Sequence, residues 1–294
     1  MRILLQVHSL DQIKTFQDPL VDYVLRDPFF SYKHPSLQTK EDFLEILKDV
    51  LFSHHKTYIE INGFIEESDL IGLESWLKEL LPYPIQGFYF ADLAVLMILK
   101  SLNYQGETIY SPETILTNTL EIRTLLALVD RLVISKELTL EEIVKISKTF
   151  PQRIEMFGAG HLQMSVSRRL LLSSYLQEIG LSKEVLNKTD YRIRELKRNE
   201  MMPVLEEAKT FCVFTQDILN PLEELPVLNQ SEIYGIQLDD LFIDKDDAQN
   251  FFQLIIDQVK ETDLHQIESF YKTNKLPLFK GYFERKTNLR QESV

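Results

Sequence analysis

Two kinds of segment alternate along this chain, and that alternation leaves few folds open. Short apolar runs, often β-branched or aromatic, recur at Ile3–Val7, Val21–Leu25, Tyr58–Ile61, Gly87–Phe90, Thr108–Tyr110, Leu132–Ile134, Ile154–Phe157 and Phe211–Phe214. Runs this short and this apolar suit strands covered on both faces. Between them lie helical patterns. Phe43, Ile46, Leu47, Val50 and Leu51 fall on one helical face of Glu41–Ser53, and Leu70, Leu73, Leu77 and Leu81 repeat the pattern. Thr139 with Glu142 has the spacing of a capping box that opens a helix over Leu140–Lys148. Strands separated by helices pair in parallel through right-handed crossovers, and eight such strands close a (β/α)8 barrel. The fold class expected is therefore α/β, a TIM-like barrel.

The spacing is uneven, and that sets the expected organisation. Some 50 residues separate the seventh run from the eighth, so 158–209 reads as an insertion above the barrel mouth, inside a barrel domain spanning 1–243. Asp244–Lys260 reads as an acidic-capped amphipathic helix, and a basic, aromatic tail completes 244–294.

Charge and cysteine usage exclude several functions. Lys plus Arg number 32 against 45 acidic residues, a net charge of −13, which argues against a general nucleic-acid coat. Local basic patches remain: Arg168 and Arg169, then Arg192, Arg194, Lys197 and Arg198, then the tail cations Lys272, Lys275, Lys280, Arg285, Lys286 and Arg290 among Tyr271, Phe279, Tyr282 and Phe283. Such patches hold phosphates and stack bases, or else form a solvated surface with packed aromatics. A single thiol, Cys212, makes no internal disulfide, four-cysteine zinc site or iron–sulfur cluster. It reads as a small buried hydrophobe in a cytoplasmic protein. The longest apolar run, Leu93–Leu99, falls well short of the roughly 18 residues a membrane helix needs, and Met1–Val7 is too short for a signal peptide.

In a parallel barrel, chemistry sits just past the C-terminal ends of the strands. That rule picks out Asn62, Asp92, Ser111 with Glu113, Lys136 with Glu137, and Glu155 running into Gly158-Ala159-Gly160-His161. Asn, Asp and Ser at these places also cap the following helix. Gly158 and Gly160 permit either close backbone approach to a ligand or a tight turn. His161 reads as an acid–base group or as a hydrogen-bonded structural residue. Glu155 and Glu137 are expected to point into the mouth as acid–base carboxylates. Adjacent His54 and His55 do not face one way on a helix, so no metal site is expected. G-x-S-x-G is missing, and Ser165, Ser167, Ser173 and Ser174 are near His161 only in sequence.

The stretch from Ile154 to Tyr175 resembles the signature of peptidase family U-32, the collagenase-like proteins. Glu155, Phe157, Gly160, Leu162, Ser165, Ser167 and Ser173 match it. Asn62, Asp92, Ser111 through Asn118, Lys136-Glu137-Leu138, Tyr191, Met202-Pro203 and Asp217 agree with the family in order. The departures are specific. Ala159 stands for the motif histidine, Gln163 and Leu170 for two signature cysteines, Arg168 for a glycine, and Asn187 and Leu219 lie near the later cysteine positions. The resemblance implies a peptidase label without a settled mechanism, and relatives that hydroxylate RNA or ubiquinone precursors through a cluster held by those cysteines. It further implies that this short chain is the smaller, cluster-free partner of a longer, cysteine-bearing paralogue in hydroxylation of the tRNA wobble uridine. Its substrate-binding residues would then be Asn62, Asp92, Ser111, Gly158, Gly160, Arg168 and Arg169. The alternatives are a hydrolase using Glu155, Glu137 and His161, and a scaffold without chemistry. No cofactor is expected under any of the three.

Overall fold

In a computed structural model that describes residues 1–34, 39–181, 183–197 and 199–284, the alternation becomes β1 (Arg2–Val7), α1 (Leu10–Thr15), β2 (Val21–Arg26), α2 (Lys40–Phe52), β3 (Thr57–Ile61), α3 (Leu70–Leu80), β4 (Gly87–Phe90) and α4 (Leu93–Ser101). Then come β5 (Glu107–Tyr110), α5 (Thr119–Leu125), β6 (Arg131–Val133), α6 (Leu140–Thr149), β7 (Ile154–Ser167) and α7 (Leu171–Glu178). The chain continues with β8 (Arg192–Ile193), β9 (Met202–Glu207), β10 (Thr210–Leu219), α8 (Leu225–Asn229), β11 (Gly235–Leu238), α9 (Lys245–Lys260), α10 (Leu264–Thr273) and β12 (Leu278–Phe279). Arg198 and the tail residues Arg285, Lys286 and Arg290 lie outside the described residues.

Strands β1 to β7 pair in parallel in chain order, and β11 pairs in parallel with both β1 and β7, closing an eight-strand barrel. The eighth strand is therefore Gly235–Leu238, not Phe211–Phe214. The latter belongs to β10, which runs antiparallel to the outer part of β7 and carries β9 and β8 beyond it. The segment between the last two barrel strands consequently extends past residue 209. Phe211–Phe214 looks more strand-like than Gly235–Leu238, whose four residues include Gln237 facing the barrel interior. Among the described residues, no helix is long and apolar enough to cross a membrane.

Local signals position the helices. Thr39 accepts from the Asp42 amide at the start of α2, and Thr139 and Glu142 form the expected reciprocal capping box on α6. Helix α2 buries Phe43, Ile46, Leu47 and Val50, and α3 buries Leu73, Trp76, Leu77 and Leu80. These join strand residues such as Ile3, Leu5 and Phe88 in the shell between helices and barrel. The alternate strand positions, Leu4, Val24, Tyr58, Tyr89, Ile109 and Val133, pack separately inside the barrel.

Two polar layers sandwich that apolar plug. Below it, Arg131 Nε lies 2.6 Å from Glu155 Oε1, and Tyr89 Oη donates to Glu155 Oε2 at 2.8 Å. Arg131 also pairs with Glu107 and stacks 3.9 Å from the Tyr234 ring centroid. Above it, Arg26 pairs with Glu60 at 2.9 Å and with Asp239 at 2.7 Å. Burial alone would raise the Asp239 carboxyl, but Arg26 and His8 outweigh it and hold that group well below the usual range.

Both layers generate measurable expectations. Removing one partner of a buried ion pair costs about 3–5 kcal/mol, so Arg131→Met should lower unfolding stability by that amount in urea melts at pH 7. Adding Glu155→Gln should restore part of it. A loss below about 1 kcal/mol would show that the pair is not a structural tie. Asp239, with its depressed folded value, contributes stability that is complete above its unfolded pKa of about 3.9 and disappears as pH falls through the lower folded value. Asp239→Asn should therefore be less stable at pH 7 and show a flatter acid limb below about pH 5. Parallel acid limbs would contradict this.

Candidate functional site

The mouth of the barrel is built from positions next to the inward-facing strand residues. Gln6, Arg26 and Glu60 come from β1, β2 and β3, Phe157 comes from β7, and Asp239 follows β11. Lys33, Glu113 and Lys136 arrive on the loops after β2, β5 and β6. His161, Leu162 and Gln163 from the outer part of β7, and Phe214 from the β9–β10 hairpin that pairs with it, roof it over.

These side chains satisfy one another. Besides its two carboxylates, Arg26 donates from Nη1 to the Lys33 carbonyl at 2.8 Å. The Lys33 ammonium pairs with Glu113, and Lys136 Nζ lies 3.9 Å from the same carboxylate. Burial would raise Glu113, yet Lys33 and Lys136 hold it below the usual range, while burial lowers Lys136. Lys33 and Glu113 sit at φ 68° and 61°, a left-handed backbone rare for long side chains, so their loops are held in place by the pair they form. Glu207 of β9 accepts from the Lys33 and His34 amides at 2.7 and 3.1 Å, fastening that loop to the hairpin. The enclosed space left has a volume of about 30 Å³, room for one or two water molecules.

The expected site residues divide into three groups. His161 lines the cavity and donates from Nδ1 to the Thr215 carbonyl at 2.8 Å; burial lowers its pKa, so the imidazole is neutral at pH 7. Gly160 serves the closure: at φ 133° it lies so close to the Asp239 carbonyl that a Cβ has no room, and Gly158 packs against Ile236 in the same way. Asn62 and Asp92 line a second, open groove beside the mouth, where Asp92 also caps α4 through the Ala94 amide at 2.8 Å. Ser111 is buried at the end of β5.

The remaining residues lie elsewhere. Glu155 is the second residue of β7, beneath the cavity rather than at the mouth, and its carboxylate is taken up by Arg131 and Tyr89. Burial raises its pKa, with Arg131 opposing. Glu137 is exposed and does not line the cavity. Arg168 and Arg169 are exposed at the end of the hairpin, where Arg168 pairs with Glu66. Inspection of strand ends missed Arg26, Glu60 and Asp239. Their signal was a polar residue in phase with the inward-facing positions of an otherwise apolar run, as Arg26 two places after Val24.

An iron–sulfur cluster of the kind implied by the resemblance requires several thiolates. Gln163, Leu170, Asn187 and Leu219 provide none. Cys212 is packed among Tyr32, Leu205, Phe214 and Leu241, and burial pushes its thiol far up. The residues do not fit a cluster.

The profile of peptidase family U32 matches residues 27–292. An uncharacterized protease, MJ0090 of Methanocaldococcus jannaschii, is 27% identical over 143 residues, covering 47% of this chain and 35% of that protein. The tRNA hydroxylation protein P of Helicobacter pylori is 30% identical over 141 residues, covering 46% of this chain and 33% of that protein. The chain thus spans about a third of the length of these relatives. In fold, it is similar to the solved U32 peptidase Mk0906, with a TM-score of 0.50 at 12% identity over 81% of this chain and 92% of that one. With a match that runs from the end of β2 through the other six barrel strands and covers most of the chain, the chain belongs to peptidase family U32.

Proposed function

We propose that this protein serves tRNA hydroxylation, at the wobble uridine, as the cluster-free partner of a longer, cysteine-bearing U32 relative. The observation that carries the reading is a U32 barrel whose mouth is closed by its own ion pairs and which has one buried thiol. A similar relative is named for tRNA hydroxylation. Such a chain retains the family scaffold without the ligands for the family's redox group, which suits a subunit that recognises substrate or partner while the chemistry is done elsewhere.

The peptidase label is less well supported by these residues. An extended peptide needs more space than the roughly 30 Å³ at the mouth. Among the described residues, no serine lines the cavity with His161, and Ser173 Oγ is tied to Glu206 at the start of α7. Cys212, far from its thiolate form, is a poor nucleophile.

Arg168 and Arg169 lie exposed on an acidic chain, so contact with tRNA is expected to be local and salt-sensitive. In co-expression, the longer relative should copurify with this chain. The complex should bind tRNA at 50 mM salt and lose affinity steeply towards 200 mM. Arg168→Ala with Arg169→Ala should weaken binding and reduce the salt slope by about two. Wobble-uridine hydroxylation, read by mass spectrometry of digested tRNA, should require both proteins. Unchanged modification in cells lacking this chain, together with proteolysis by the chain alone, would transfer the assignment to a hydrolase.

A further inference from the structure

We propose that the groove beside Phe64 is a slot for a single unpaired nucleobase, stacked on the Phe64 ring and read at its edge by Asn62 and Gln163. The inference rests on the tRNA reading and gives it a binding site that is separate from the closed mouth.

The groove encloses about 450 Å³ and lies between the loops after β2, β3, β4 and β5 and the outer part of β7. Tyr32 and Phe64 both line it. Their rings are parallel to within 9°, with centroids 6.5 Å apart. That is a parallel aromatic pair at the wide end of the contact range, and its outer member offers a flat π face. Tyr32 is buried in the small core with Leu205, Cys212 and Phe214, whereas Phe64 is 40% exposed, so Tyr32 backs the Phe64 ring and Phe64 presents the stacking surface.

The edge-reading groups are two amides anchored on Tyr32. Asn62 Oδ1 accepts from the Tyr32 backbone amide at 2.9 Å. A backbone N–H only donates, so the other atom, Nδ2, must be a donor; it is buried without a partner. Gln163 Nε2 donates to Tyr32 Oη at 3.3 Å, leaving a buried Oε1 acceptor without a partner. Unmet buried polar atoms cost free energy that a ligand recovers by pairing with them. A nucleobase carries donors and acceptors along the edge of a flat π system. An aromatic side chain of a peptide would fill the slot and leave both amides unmet. For the phosphates, the exposed Arg168 pairs with Glu66, two residues beyond Phe64.

The test uses the full-length chain and its complex with the longer relative, with five-nucleotide RNAs carrying either 2-aminopurine or an abasic site at the centre. The base-bearing RNA should bind about tenfold tighter than the abasic one, with quenched fluorescence, as stacking on an aromatic side chain requires. Phe64→Leu, at an exposed position, should remove that preference while circular dichroism and melting stay unchanged. Asn62→Asp, which keeps the bond from the Tyr32 amide and turns the free donor into an acceptor, should weaken the base-bearing RNA alone. Equal affinity for base-bearing and abasic RNA, or a preference that survives Phe64→Leu, would overturn the slot. Displacement by a phenylalanine peptide with no RNA binding would overturn it in favour of a peptide site. If the complex binds tRNA through Arg168 and Arg169 and neither slot variant matters, the slot fails and the tRNA reading stands. If no RNA binds at 50 mM salt, both fail.

Discussion

The buried guanidinium of Arg26 joins parts of the barrel that no single sheet bond connects. It reaches Glu60 on the neighbouring strand, Asp239 beyond the strand that closes the barrel, and the Lys33 carbonyl in the loop over the mouth. A lone charge at this depth would be expensive, and the network is tolerable because the guanidinium meets two carboxylates and Asp239 meets further donors. Asp239 accepts from the Leu241 amide and pairs with His8 at 3.0 Å. Arg26 therefore fixes the register of closure and the path of the Lys33 loop together. The position of Lys33 then sets that of Glu113, and Glu113 that of Lys136.

An interior with polar layers above and below an apolar plug explains which parts of the fold were legible in the sequence. Seven barrel strands announced themselves because their outward faces pack on helices and, in the first six, the inward face includes Leu4, Val24, Tyr58, Tyr89, Ile109 or Val133, leaving a mostly apolar run. The eighth, Gly235–Leu238, is four residues long and directs Gln237 towards Glu155 and the cavity. Its apolar content is too small to compete with Phe211–Phe214. That run is buried for a different reason, since Cys212 and Phe214 form a satellite core with Tyr32 and Leu241 beneath the hairpin. Periodicity reports burial and carries no information about which sheet does the burying.

The site was legible in part for a related reason. Strand ends direct attention to Asn62 and Asp92, which line the groove, and to the Gly158–His161 stretch, whose His161 lines the mouth cavity. Glu155 reads as the end of a seventh strand only if that strand stops at Phe157. In fact β7 continues to Ser167 and turns its outer part into the hairpin, which leaves Glu155 near the strand's start, where Arg131 neutralises it. Ion pairs between residues far apart in sequence, such as Arg26 with Asp239, leave no local pattern. Their trace is a charged residue in phase with the inward-facing positions of a strand, a feature that becomes informative once the barrel is known.

Closure of the mouth moves recognition outwards. Its cations face carboxylates at short range, Arg26 with Glu60 and Asp239, Lys33 with Glu113, so the mouth presents little net field to an approaching anion. On a chain of net charge −13, surface potential at physiological salt is screened beyond about 8 Å, and only cations close to the contact matter. Arg168 and Arg169 meet that condition at the end of the extended β7, the same strand whose Gln163 borders both the closed cavity and the open groove. The β7 extension thus turns a barrel strand into a ruler: residues 154–159 close the barrel, 161–163 roof the mouth, and 166–169 reach the groove rim and solvent. A ligand held at that rim is positioned relative to the barrel by one continuous strand and its hydrogen bonds to β10, a stiffer connection than a loop provides.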